Sequence, residues 1–175
     1  MNPVITAIKS RRSIRKFKPE MIEQDKIDQI VEAGLYAASG RNNQGSKIIV
    51  IKNKDFRDKM SATIAKIKEK PADFDPFYGA PVVLLVLGDK DYFTGIYDGS
   101  LVIGNMMLAA HALGLGSCWV HYAKQEFEMP EYRELLHSLN IPDNYEGIGH
   151  CVIGYTDGPL PDAAPRKENR VYLIG

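Results

Sequence analysis

The residues best suited to chemistry cluster near the start of the chain, in Arg11-Arg12-Ser13-Ile14-Arg15-Lys16-Phe17-Lys18. Five cations and a hydroxyl fall within eight positions. A guanidinium can bind two oxygens of one phosphate at once, and an interleaved hydroxyl adds a donor, so this pattern suits a phosphate dianion. Clustered charge is also the mark of a plain solvated face, and the run alone does not separate the two meanings. Few other candidates stand out. The four histidines, His111, His121, His137 and His150, show no HExxH or comparable spacing, so no metal site is expected. No GxGxxG follows a strand pattern, and neither GxxxxGK[ST] nor GxSxG occurs. Cys118, beside Trp119 in an apolar stretch, reads as inert packing, and His111 as a satisfied core histidine. An enzyme with so few placed acids, bases and nucleophiles must take its chemistry from a cofactor.

The elements that position these residues belong to one domain spanning residues 1–175, 45% apolar and 25% charged. Formal net charge is zero, so the basic run is a local feature and wholesale nucleic-acid binding is not expected. No apolar run has the length of a membrane span. The first apolar stretch is interrupted by Lys9, Arg11 and Arg12 and does not read as a signal peptide. Cys118 and Cys151, far apart and without CxxC, read as free thiols, and the expected location is cytoplasmic.

Periodicity predicts helices over Val4–Lys9, Ile22–Ala38, Asp55–Lys68, Asp98–Leu113 and Met129–Leu139. Strands are predicted at Ile48–Ile51, Pro81–Leu87, Ser117–His121 and Ile148–Tyr155. A polar, glycine-bearing loop runs from Ser39 to Ser46, and Tyr92–Tyr97 reads as a connection. The helix from Asp98 is apolar on most sides and must be buried in the domain or at a subunit interface. Helices and strands mix without strict alternation, which favours an α+β sandwich with a mixed sheet over a doubly wound one.

Four blocks, in order, resemble the nitroreductase family of flavin enzymes. Arg11-Arg12-Ser13-Ile14-Arg15-Lys16-Phe17 is similar to the family's opening signature. Ala38-Ser39-Gly40-Arg41-Asn42-Asn43-Gln44 is similar to its loop after the second helix. Leu108 to Trp119 resembles its buried helix and the strand behind it, and Ile153-Gly154-Tyr155 with Pro165-Arg166-Lys167 resembles its C-terminal close. The resemblance implies a nitroreductase-like α/β sandwich, its sheet mixed but mainly antiparallel and flanked by helices, in a domain-exchanged homodimer with two FMN at the interface.

By the same resemblance, Arg11, Arg12 and Ser13 would hold the phosphate and ribityl end of FMN, joined by Arg166 and Lys167. Arg15 would lie at the pyrimidine edge, where a cation stabilises negative charge on the reduced ring. Asn42 and Gln44 would meet ribityl hydroxyls or the imide edge, in relatives often of the partner's flavin. Trp119, Val120 and His121 would pass the flavin face, with a backbone N–H near 121 directed at N5. The side chains of Met106, Met107 and Trp119 read as core or interface. Three departures stand out: Gly45-Ser46 replaces the usual Pro-Trp, Thr156 follows Tyr155 where proline is usual, and His121 stands where relatives often carry glycine. The implied activity is NAD(P)H-dependent, ping-pong electron transfer to a nitroaromatic, quinone or similar acceptor. Alternatives are a non-catalytic flavin sensor or carrier, and a flavin-fragmenting or dehalogenating relative.

Overall fold

A computed structural model describes residues 2–175. Its elements are α1 (Pro3–Ser10), α2 (Gln24–Leu35), β1 (Lys47–Ile51), α3 (Lys54–Ile67), β2 (Val82–Asp89), α4 (Gly95–Ala112), β3 (Gly116–Val120), α5 (Ala123–Phe127), α6 (Pro130–Ser138) and β4 (Tyr145–Gly154). The strands form one four-stranded sheet in the order β1-β2-β4-β3, and every neighbouring pair is antiparallel. The parallel component is a single bridge from Ser13 to Ser117.

β2 is buried along almost its whole length because both of its faces are covered, which is why it reads as an unbroken apolar run. Val82, Leu84 and Val86 face a layer containing Ile27 and Ile30 of α2 and Val102, Ile103 and Met106 of α4. Val83, Leu85 and Leu87 face the opposite layer, with Met60 and Ile64 of α3, Phe127 of α5 and Leu136 of α6. The fold is therefore a helix–sheet–helix sandwich. Among the described residues no helix is long and apolar enough to cross a membrane.

The observed elements depart from the sequence expectations at their ends. α4 starts three residues earlier than Asp98, because the Gly95 amide closes a turn onto the Tyr92 carbonyl at 2.9 Å and the helix continues from it. It ends where Gly114, at φ +77°, lets the Leu115 amide reach back to the Ala110 carbonyl at 2.8 Å. One side of α4 is buried on the sheet, whereas Ile96, Tyr97 and Leu101 on the other are exposed. β4 begins at Tyr145, ahead of the predicted Ile148, and its pairing with β2 shifts register between Val86 and Leu87. That bulge and the small Gly147 and Gly149 hide the alternation that would have marked the first half of the strand. α5 escaped notice because it is one turn long and starts from Tyr122 in the left-handed region, φ 79°.

Candidate functional site

α1 delivers the basic run to the edge strand β3. Asn2 caps the helix by accepting the Val4 amide at 2.9 Å, and the Arg11 amide closes the last turn onto the Ala7 carbonyl at 2.9 Å. Beyond it, Ser13 bridges Ser117, the Ile14 amide donates to the Ser117 carbonyl at 2.9 Å, and Ile14 and Phe17 are buried. Arg15 and Lys16, between those two anchors, are exposed. Phe17 bridges Thr156, and the Lys18 amide donates to the Tyr155 carbonyl at 2.9 Å, so the start of the chain is fastened to the end of β4.

Two guanidinium atoms here are buried without a hydrogen-bond partner, Arg11 Nη1 and Arg12 Nε. Arg12 also donates through Nη1 to the carbonyls of Lys9 and Arg11, each at 2.8 Å, which fixes its plane. Donors of this kind are costly to leave unanswered, and an anion answers them. His111, late in α4, lies 2.7 Å from the Ser10 hydroxyl through Nε2. Its burial and then the Arg11 and Arg12 charges hold its pKa below the ordinary imidazole value. Burial pushes the Cys118 thiol up, against the opposing pull of Arg15, the Ser13 hydroxyl and Arg11. Arg11, Ser13 and Arg15 thus surround the same stretch of β3. Beside it, Ile14, Arg15 and Lys16 line a cavity of about 250 Å³ closed by Thr156, Asp157 and Pro159.

The loop carrying Asn42 and Gln44 lies elsewhere. It is held at the start of α4, where the Gly40 amide donates to Asp98 at 3.0 Å and the Tyr92 hydroxyl to the Gly40 carbonyl at 3.1 Å. Gln44 Nε2 donates to Asn42 Oδ1 at 2.9 Å, and both side chains are exposed. Arg41, Asn42 and Gln44 adopt left-handed backbone, at φ 50°, 55° and 49°. Asp98 and His111 stand thirteen residues apart on α4, so at 1.5 Å per residue the two clusters are separated by about 20 Å. One chain does not bring them together.

Of the β3 residues, Trp119 is half-buried against the α4 layer and Val120 is buried in the opposite one. His121 is exposed, its ring 5.5 Å from that of Tyr122. Arg166 and Lys167 lie on an exposed segment without regular structure, and Arg166 donates to its own Ala164 carbonyl at 3.2 Å through Nε. They do not reach Arg11 in the same chain. Sequence reasoning missed Asp98, Ser10 and Ser117. The acid in the first turn of α4 carried no signal beyond its position, and the serines none at all.

A larger concavity, about 420 Å³, is not this site. It is an apolar groove between α1, α2 and α4 lined by Val4, Ala7, Ala33, Leu108 and Ala109, with no titratable group. The unanswered donors lie instead in the Arg11–Ser13 segment.

The sequence pattern of the Nitroreductase family matches residues 8–155. The chain belongs to the nitroreductase family. A nitroreductase with bound FMN from Bacteroides fragilis superposes with a TM-score of 0.89 at 27% identity, covering 100% of both chains. A second with bound FMN, from Desulfitobacterium hafniense, gives 0.85 at 28% identity over 99% of this chain and 100% of that one. An FMN reductase [NAD(P)H] of Bacillus subtilis is 28% identical over 173 residues, 89% of this chain and 66% of its own length. In this chain the segment resembling the family's opening signature carries the unanswered guanidinium donors.

Proposed function

We propose that this chain binds FMN and acts as an NAD(P)H-dependent flavin oxidoreductase, passing electrons to a nitroaromatic, quinone or similar acceptor. The observation that carries the reading is the pair of buried, unpartnered donors Arg11 Nη1 and Arg12 Nε beside the Ser13–Ser117 bridge. Their chemistry fits a phosphate monoester, and the FMN-bound nitroreductases of the same fold supply one.

Arg11, Arg12 and Ser13 hold the phosphate end, and Arg15 presents a cation further along the same edge strand. The backbone of β3 past Ser117 has no further strand on its outer side and is free to face a ring system. Asn42 and Gln44, about 20 Å away along α4, complete the site from a second copy, as do Arg166 and Lys167. That arrangement is a homodimer with composite sites. The exposed apolar side chains of α1 (Val4, Ile5, Ile8) and α4 (Ile96, Tyr97, Leu101) support it, as does the C-terminal end, where Leu173 and Ile174 are 96% and 98% exposed. When bound, FMN supplies two-electron transfer between a nicotinamide donor and the acceptor. The protein contributes position and the positive field of Arg11, Arg12 and Arg15.

The test is the visible spectrum of the purified protein, followed by anaerobic NADPH or NADH. Flavin absorbance that bleaches upholds the oxidoreductase reading. Bound flavin that stays oxidised with both donors points to a carrier or sensor, and a colourless protein that cannot be reconstituted with FMN overturns the reading.

A further inference from the structure

One acid and one imidazole lie wholly inside the fold and take no part in the site described so far. Glu126 of α5 and His150 of β4 are both 0% exposed, with Oε2 and Nε2 2.9 Å apart. The approach is at ion-pair distance but off the line of a hydrogen bond, and no other protein group answers either carboxylate oxygen or either ring nitrogen. The surroundings are apolar and aromatic. Phe77 meets the His150 ring edge-on at 5.3 Å, and Tyr132 adjoins Glu126 while its hydroxyl pairs with Thr63 at 2.9 Å. Apolar side chains of similar volume would fill such a place at no loss of stability. What the pair adds is a fixed relation between α5 and β4.

That relation closes a small ring around the one irregular turn of the site. His150 is the register partner of Val120, the last residue of β3. After Val120 come only His121 and Tyr122 before α5 begins, and the Glu126 amide donates to the Tyr122 carbonyl at 3.0 Å. The path Val120–His121–Tyr122–Glu126–His150 thus returns to Val120. Tyr122 is held in the left-handed region, which persists only when its surroundings over-determine it. Lys68 adds a brace from outside, its ammonium 5.4 Å from the Tyr122 ring and 4.9 Å from that of Phe74. Of the residues in this ring, His121 alone is exposed.

We infer that Glu126 and His150 are a positioning pair that sets the Val120–Tyr122 turn, and with it the His121 side chain, against the acceptor. This rests on the reading that β3 passes a bound flavin. Neither residue touches cofactor or substrate; both act through the turn.

The experiment combines Glu126→Gln with His121→Ala as a double-mutant cycle in FMN-loaded protein, with 1,4-benzoquinone as acceptor. Hydrogen exchange of the segment 120–124 is followed with and without flavin. Glu126→Gln is expected to speed exchange in that segment and lower kcat/KM for the quinone on the order of tenfold, with FMN affinity unchanged within about twofold. In the His121→Ala background the same substitution is expected to leave kcat/KM unchanged, because the pair acts through that residue. Equal losses in both backgrounds, or unaltered exchange and kinetics, overturn the proposal. If Glu126→Gln does not fold, Glu126→Met/His150→Phe removes the pair with the core filled; wild-type acceptor kinetics in it overturn the proposal equally. A wild-type protein that takes up no FMN overturns the flavin reading instead. Exchange in the flavin-free protein still decides whether the pair sets the turn.

Discussion

The Asp98 carboxylate accepts the amide N–H of Gly40 at 3.0 Å and the Thr94 hydroxyl at 2.9 Å, tying the start of α4 to a loop 58 residues earlier. Asp98 is 5% exposed, and the loop it anchors holds three non-glycine residues in left-handed backbone. Such conformations are retained only where the flanking structure enforces them. Asp98→Ala is expected to destabilise the fold by about 2–3 kcal/mol, the scale of losing hydrogen bonds to a charged, buried acceptor. Urea unfolding measures that loss. FMN titration should show weaker binding through the freed Asn42 and Gln44; unchanged affinity would place this loop outside the site.

The basic cluster makes an asymmetric prediction. Arg11 has a buried nitrogen with no partner, and the Ser13 backbone is already fixed by its bridge to Ser117. Removing either side chain takes away the proposed ligand contacts and leaves the backbone hydrogen bonds of the segment in place. Arg11→Ala should weaken FMN binding by about 1.5–3 kcal/mol, roughly ten- to a hundredfold, and Ser13→Ala by about 1 kcal/mol. Flavin fluorescence titration reports both. Full flavin occupancy in both variants would remove the organising role given to this segment.

His111 supplies a pH signature. Its pKa is held down by burial first and by the Arg11 and Arg12 charges second. A phosphate dianion bound at those arginines cancels the second contribution, so the His111 pKa rises on FMN binding while remaining subject to burial. A group whose pKa is raised by the ligand takes up a proton as the ligand binds. Affinity therefore increases as pH falls through the window between the free and bound pKa values, and the gain is complete below both. NMR titration of His111 with and without FMN checks the shift. A His111 pKa that does not move, or moves down, would place the phosphate away from Arg11 and Arg12.

Much of this was legible in the sequence where one physical rule governed a segment. β2 is apolar on both sides because helices cover both sides, so its run of Val and Leu names it a buried strand. Arg11, Arg12 and Ser13 offered donors suited to an anion, but only the buried, unpartnered nitrogens set them apart from a solvated basic face. The rest depended on tertiary partners. Nothing local distinguishes Asp98, buried and bonded to Gly40, from an exposed acid in the first turn of a helix. Glu126 and His150 lie on separate elements, and each looks like an ordinary polar residue until the sheet register and α5 bring them together. The first half of β4 was hidden by its glycines, which make room for the Ala123 backbone at Gly147 and for the Trp119 and Ile103 side chains at Gly149.

Gly147 is the sharpest of those approaches. A Cβ there would stand 2.3 Å from the Ala123 carbonyl oxygen, a backbone atom at the start of α5 that cannot swing aside. Gly147→Ala must push α5 away from β4 and is expected to cost about 1–3 kcal/mol, the range for overpacked cores. The displacement also pulls on the Val120–Tyr122 turn, so thermal unfolding should shift down together with acceptor kcat/KM. Wild-type stability would mean that α5 is more loosely seated than its packing indicates.

The C-terminal segment separates the fold of one chain from the assembly of two. From Gly158 onward every residue is exposed and none joins a helix or strand, yet the end is Val171-Tyr172-Leu173-Ile174, with Leu173 96% exposed. Four consecutive apolar side chains in water are costly unless another surface covers them. This chain does not cover them itself, so deleting residues 170–175 removes nothing from its own core. Far-UV circular dichroism of the truncated protein should match the full chain. On the proposed dimer, sedimentation should show association weakened to monomer at micromolar concentration, and flavin affinity should fall with it, as expected if Asn42 and Gln44 complete a partner's site. A truncated protein that remains dimeric with full flavin content would assign the exposed end to some other surface and leave the dimer to the faces of α1 and α4.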